Sequence, residues 1–217
     1  MQITLFGGHG KIALLLAPML VDAGHRVTSV IRNPDHAGDV EATGATAVVS
    51  SVEDADEAAL VDLLSGQDAV VWSAGAGGGS PERTYAVDRD AAIRSMDAAS
   101  SAGARRYVMV SFSGSSPDAL VPEDNPFRHY QDAKIAADEH LRSTDLDWTI
   151  LAPGTLTLEP GTGSVNPDAG FNDGDETSRE LVAQVALAVL EDPRASRQTL
   201  VFGDGDVAID DWLGRLG

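Results

Sequence analysis

Seven short apolar runs punctuate the chain, and a helix-length segment separates most neighbouring runs. The runs are ITLF (3–6), RVTSVI (26–31), TAVVS (46–50), DAVVWS (68–73), RYVMVS (106–111), DWTIL (147–151) and QTLVF (198–202). Helical spacing predicts helices over 10–23, 34–43, 56–65, 81–102, 127–143 and 177–191. Each run is nearly continuous rather than alternating, the pattern of strands covered on both faces in a parallel sheet. Strands and helices in this alternation predict a doubly wound α/β fold. The 217 residues suit a single domain spanning 1–217. One stretch resists the pattern. Residues 153–176 are rich in Gly, Pro, Asp and Asn, and a loop this long in a compact domain is expected to bind or cover a ligand.

The first run feeds a turn spaced Gly7-x-x-Gly10-x-x-Ala13, close to the dinucleotide fingerprint without matching it. At the first strand–helix turn, open α/β sheets place a pyrophosphate. Gly7 permits a tight turn, Gly10 lets the backbone approach phosphate, and Ala13 allows close helix packing. The helix opening at Lys11 and Ile12 then presents unpaired N–H groups and a partial positive charge, with His9 beside the phosphates. After the second run stands Arg32, where an acidic residue would suit the ribose of NAD. A guanidinium there suits a 2′-phosphate, so NADP is the favoured cofactor and NAD the alternative. Ser51 and Val52, after the third run, are expected along the adenine edge. Ser73, Ala74 and Gly75, after the fourth, are small enough to border the cofactor.

Composition narrows the partners. A formal charge of -19 repels nucleic acid and anionic lipid, so the expected partner is a small molecule, with the chain a monomer or homodimer. Without cysteine there is no thiol nucleophile or disulfide. The apolar stretch after Lys11 follows a strand and a glycine turn and is too short to span a bilayer, which points to a cytoplasmic protein. Neither an H-E-x-x-H nor a G-x-S-x-G pattern occurs, and no metal site is expected.

A second constellation lies in HYQDAKIAADEH. Tyr130 and Lys134 are one helical turn apart, and Lys134 is one of only two lysines. A lysine cation lowers the pKa of a nearby phenol, which then passes a proton to a carbonyl oxygen as hydride arrives at carbon. Ser111 or Ser113 is placed to hold that oxygen. Together GGHGKIA, VDRDAAIRSMDAASSAGARRYVMVS and YQDAKIAADEHLRSTDLDWTILAPGTLTLEPGTG resemble the atypical short-chain dehydrogenase/reductase family. The likeness extends to its NAD(P)H-binding epimerase/dehydratase set and to its biliverdin reductase B and NmrA-like branches. The resemblance implies a Rossmann-type fold, Tyr130 as acid/base, Lys134 on the nicotinamide ribose, and Pro153 and Gly154 beside the nicotinamide. Phe112 interrupts the family's serine doublet, and Ala152 stands where relatives carry arginine. The expected activity is an NADP-dependent oxidoreductase acting on a small carbonyl, quinone or flavin-like compound. A non-catalytic NADP(H) sensor and a nucleotide-sugar epimerase/dehydratase are the alternatives.

Overall fold

The computed structural model describes residues 1–78, 80–170 and 174–216. Its core is a sheet in which β1 (Gln2–Phe6), β2 (Arg26–Ile31), β3 (Thr46–Val49), β4 (Ala69–Trp72), β5 (Arg106–Val110) and β6 (Asp147–Pro153) run parallel. Three short strands follow: β7 (Thr155–Thr157), β8 (Ser164–Asn166) and β9 (Glu176–Ser178). β10 (Gln198–Asp204) then pairs parallel with β6, and β8 pairs antiparallel with β10 and with β11 (Val207–Ala208). The strand order is β11-β8-β10-β6-β5-β4-β1-β2-β3. The chain winds one way from β1 to β3 and the other way from β4 onward, so the switch point lies between β1 and β4. Open α/β sheets bind ligands at this crevice.

The continuous apolar runs have a direct cause. Successive side chains of a strand point to opposite faces, and both faces are covered. Leu5, Val71 and Val108 join one core with helices α1 (Lys11–Asp22) and α7 (Arg179–Glu191). Their neighbours Phe6, Val70 and Tyr107 join the other with α3 (Glu57–Leu64), α5 (Ala92–Ala102) and α6 (Arg128–Ser143). Short helices α2 (Ala37–Glu41), α4 (Pro81–Thr84) and α8 (Ile209–Leu213) complete the molecule. Boundaries follow local chemistry. Asp56 caps α3 by accepting from Ala59 N–H, Ser178 caps α7 by accepting from Leu181 N–H, and α5 ends at left-handed Gly103.

The helix expected over 81–102 forms, but with a seven-residue π-helical segment at Tyr85–Ala91 between α4 and α5. Such widened turns re-aim a side chain, and here they bury Asp88. The loop expected over 153–176 is only partly irregular, since β7 and β9 form a small parallel sheet and β8 joins the main one. Residues 171–173 of it lie outside the described residues.

Candidate functional site

Two cavities meet at the carboxyl ends of the central strands. The first, of about 280 Å³, is lined by Gly7, Gly8, His9 and Gly10 from the first turn, by Arg32 after β2, and by Ser51 and Val52 after β3. Ser73, Ala74 and Gly75 after β4 close it. Gly7 has φ +77°, and a Cβ there would sit 2.7 Å from the Ala74 backbone, so no other residue fits without moving the chain. Gly10 N–H donates to Gly7 C=O at 2.7 Å, which closes the turn and aims α1 at the cavity. No side chain caps the first turn of α1, so its N–H groups are presented to a ligand. A glycine cradle, an uncapped helix start and two guanidiniums fit a polyanionic cofactor.

Those guanidiniums share one acceptor. Arg32 Nη1 and Arg83 Nη2 each lie 3.0 Å from Glu53 Oε1, and Arg83 Nη1 donates to Ala76 C=O at 2.7 Å. Across the cleft the His9 and His36 rings stack at 3.7 Å, and His9 Nε2 lies 2.9 Å from Asp39 Oδ2. Glu53, Arg83 and His36 were not singled out in the sequence, because tertiary contacts alone bring them to Arg32 and His9. Lys11 stands at the first position of α1. Its side chain is exposed and lines neither cavity, because the first residue of the helix offers the ligand its backbone, not its side chain.

The second cavity, of about 900 Å³, shares Ser73, Ala74 and Gly75 with the first. Ile12, Ser111, Tyr130 and Lys134 all line it. Tyr130, Lys134 and Asp138 succeed one another at single-turn spacing along α6, which turns them to one face. Lys134 is 1% exposed, and its Nζ donates to Val110 C=O at 2.9 Å and to Met109 Sδ at 3.4 Å. Ser111 Oγ donates to Asp138 Oδ2 at 2.5 Å, and Ser115 Oγ donates to the same oxygen at 2.6 Å. Gln131 ties the mouth segment to α6. Its Nε2 donates to Gly114 and Ala119 C=O, and its Oε1 accepts from Val121 N–H.

The electrostatics differ from the expected pattern. Burial, and then the carboxylates of Asp88 and Asp138, push the Tyr130 phenol up, not down. Burial of the ring is the larger cause and the two nearby carboxyls add to it, while Lys134 Nζ is engaged by Val110 C=O and Met109 Sδ. Asp138 is itself raised by burial, against the pull of Lys134, Ser111 and Ser115. Asp88, 3% exposed, lines the cavity and accepts from Ala76 N–H at 3.0 Å. Burial raises its carboxyl too, opposed by the Ala76 N–H, Lys134 and Arg83. In the sequence Asp88 stands in VDRDAAIRS and reads as one more solvated acid, because nothing local marks the π-helical segment.

Three further placements depart from expectation. Ser113 lines a separate cavity of about 300 Å³ with Ser115 and Asp138, since the chain turns there and Ser115 N–H bonds back to Phe112 C=O. Pro153 and Gly154 line neither of the first two cavities. Pro153 pairs with Phe202 in the sheet, and Gly154 N–H donates to Thr177 Oγ1 at 2.8 Å. Of the described residues of 153–176, Leu156 alone reaches the second cavity. Among the described residues no group of three His, Asp or Glu side chains is placed to hold a metal, and no helix is long and apolar enough to cross a membrane.

The NAD(P)H-binding family pattern matches residues 7–193, which spans the glycine cradle and the Tyr130–Lys134 turn. The chain belongs to that family. Its relatives include protein C216.03 of Schizosaccharomyces pombe, 36% identical with 95% of this chain and 91% of that one covered. YhfK of Bacillus subtilis, named as an uncharacterized sugar epimerase, is 31% identical with both chains fully covered. The structure of a Bacillus halodurans protein named for an NAD-dependent epimerase/dehydratase superposes with a TM-score of 0.90 at 29% identity, covering 99% of each chain. For this NAD(P)H-binding chain, the Rossmann-type fold read from the sequence stands.

Proposed function

We propose that the chain is an NADP-dependent reductase of the atypical short-chain dehydrogenase type. The observation that carries this reading is the junction at Ser73–Gly75, where the glycine-cradled cleft opens into the cavity that Ser111, Tyr130 and Lys134 line. The first cavity would hold the dinucleotide. Gly7 and Gly10 keep the turn low, the start of α1 faces the phosphates, and Arg32 gives the adenosine end a cationic rim for a 2′-phosphate. The bound nicotinamide supplies hydride.

The residues' own work follows from their contacts. Lys134 is anchored on Val110 C=O, so its stem is fixed and its charge lies against the cavity wall. There the cation pulls the carboxyls of Asp88 and Asp138 down, against the burial that raises them. The phenol carries the proton that a substrate oxygen would take, and the upward shift makes it a weaker acid than the sequence pattern implies. Ser111 donates to Asp138 in this state. For Ser111 to donate to substrate, Asp138 must carry the proton between them, and the burial that raises Asp138 favours that form. Leu156 is the point where 153–176 would close over the substrate.

One observation favours the second reading, an NADP(H) sensor. Ser111 and Lys134 already have protein partners. The two readings separate in one assay. NADPH oxidation is followed with carbonyls, quinones and flavins for the wild type beside Tyr130→Phe. The reductase reading expects turnover that the variant loses. NADPH binding without turnover on any of them supports the sensor.

A further inference from the structure

Charge divides the two cavities. The cleft that fits the cofactor carries Arg32 and Arg83. The larger cavity beyond Ser73–Gly75 is lined by three carboxylates: Asp88 in its wall, and Glu123 and Asp124, both exposed, at its mouth. Among the described residues Lys134 is the one basic side chain lining it, and its Nζ donates to Val110 C=O and Met109 Sδ. The neighbouring arginines are engaged by the protein, Arg83 by Glu53 and by the C=O of Ala76 in the cavity wall. Arg128 bonds Asp132 and Val121 C=O, and Arg179 donates to the carbonyls of Leu156 and Thr157. His129 lines the cavity beside the Tyr85 hydroxyl, 3.3 Å away. The remaining wall combines apolar and aromatic residues with Ser73, Thr84, Ser111 and Asn125, and the Phe127 and Tyr130 rings lie 5.2 Å apart.

We propose that this cavity takes an aromatic or alicyclic substrate bearing no negative charge, and favours one that carries an ammonium group. A sugar diphosphate or a carboxylate would enter past Glu123 and Asp124 and lie against Asp88, where Arg83 is already engaged by Glu53 and Ala76 C=O, whereas sites for such anions place an arginine that faces the ligand. An ammonium gains from Glu123 and Asp124 at the mouth, from Asp88 in its ionised form, and from the aromatic part of the wall. The overall charge of -19 steers ligands in the same sense. About 900 Å³ is ample for a drug-sized ligand beside the nicotinamide end. The proposal rests on the reductase reading only in taking this cavity as the substrate side.

Two probes with one ring and opposite charge test it. Tryptamine and indole-3-propionate, with UDP-glucose as a third ligand, are titrated by calorimetry onto the chain with NADP⁺ and without it. Tryptamine is expected to bind at least about tenfold tighter than indole-3-propionate at low salt, with the gap shrinking as salt screens it. In Glu123→Gln/Asp124→Asn the gap narrows a few-fold, in keeping with exposed charges, and NADP⁺ affinity, which reports an intact fold, stays the same. Equal or tighter binding of indole-3-propionate or UDP-glucose overturns the proposal, as does failure of both indoles to bind at millimolar concentration. Failure of NADP⁺ to bind is a separate result. It removes the cofactor reading, while the charge preference is still read on the chain alone.

Discussion

The cofactor cleft and the reaction cavity share Ser73, Ala74 and Gly75 and are built on opposite principles. Backbone makes the cleft: a glycine turn, a helix start, and two arginines at its rim. Side chains of α6 and the π-helical segment bring Asp88, Tyr130 and Lys134 to the larger cavity. A backbone site tolerates little change in shape. A side-chain site tolerates shape changes and responds to charge.

The largest expected effects break one region and spare the other. In Gly7→Val the new side chain meets the Ala74 backbone at 2.7 Å from a left-handed residue. A β-branched residue is disfavoured there, so NADPH and NADH affinity both fall on the order of a hundredfold, while tryptamine binding falls less, because the displaced Ala74 also borders the larger cavity. Tyr130→Phe is the converse. In the reductase reading kcat drops by about 10²–10⁴, and NADPH titrations of variant and wild type superimpose.

Smaller effects sharpen the boundary. Arg32→Ala is expected to weaken NADPH by about tenfold, the scale of a hydrogen bond to a charged group, and to leave NADH unchanged. Because Glu53 pairs with both Arg32 and Arg83, Glu53→Gln moves NADPH the other way, by a few-fold. Asp138→Asn concerns stability. Burial raises the folded carboxyl above its unfolded value of about 3.9. The folded chain therefore holds more protons between the two values, and stability falls as pH rises through that window. Asparagine stays neutral, so urea unfolding at pH 5 and pH 8 is expected to show the wild type losing more stability than the variant on going to the higher pH.

The contrast also explains what the sequence made legible. Continuous runs such as AVVW mark strands covered on both faces, and all seven long strands lie where those runs predict. The turn at Gly7–Gly10 and the α6 pair are local patterns of spacing, so they too can be read along the chain. β7, β8 and β9 are three residues each, too short to show a period, and their pairing partners lie far along the chain. Asp88 and Asp138 escaped for another reason. A buried carboxyl and a solvated one look alike in sequence, and only the packing of 85–91 and α6 separates them. Lys134 was picked out by rarity, but its anchoring on Val110 and Met109 is a tertiary contact.

Titration of the wild-type chain with NADPH and with NADH tests the central claim most directly, that the glycine-cradled cleft is a dinucleotide site with a rim for the 2′-phosphate. The account predicts saturable NADPH binding at micromolar levels, tighter than NADH. Tighter binding of NADH would contradict the rim, and no binding of either would contradict the cleft.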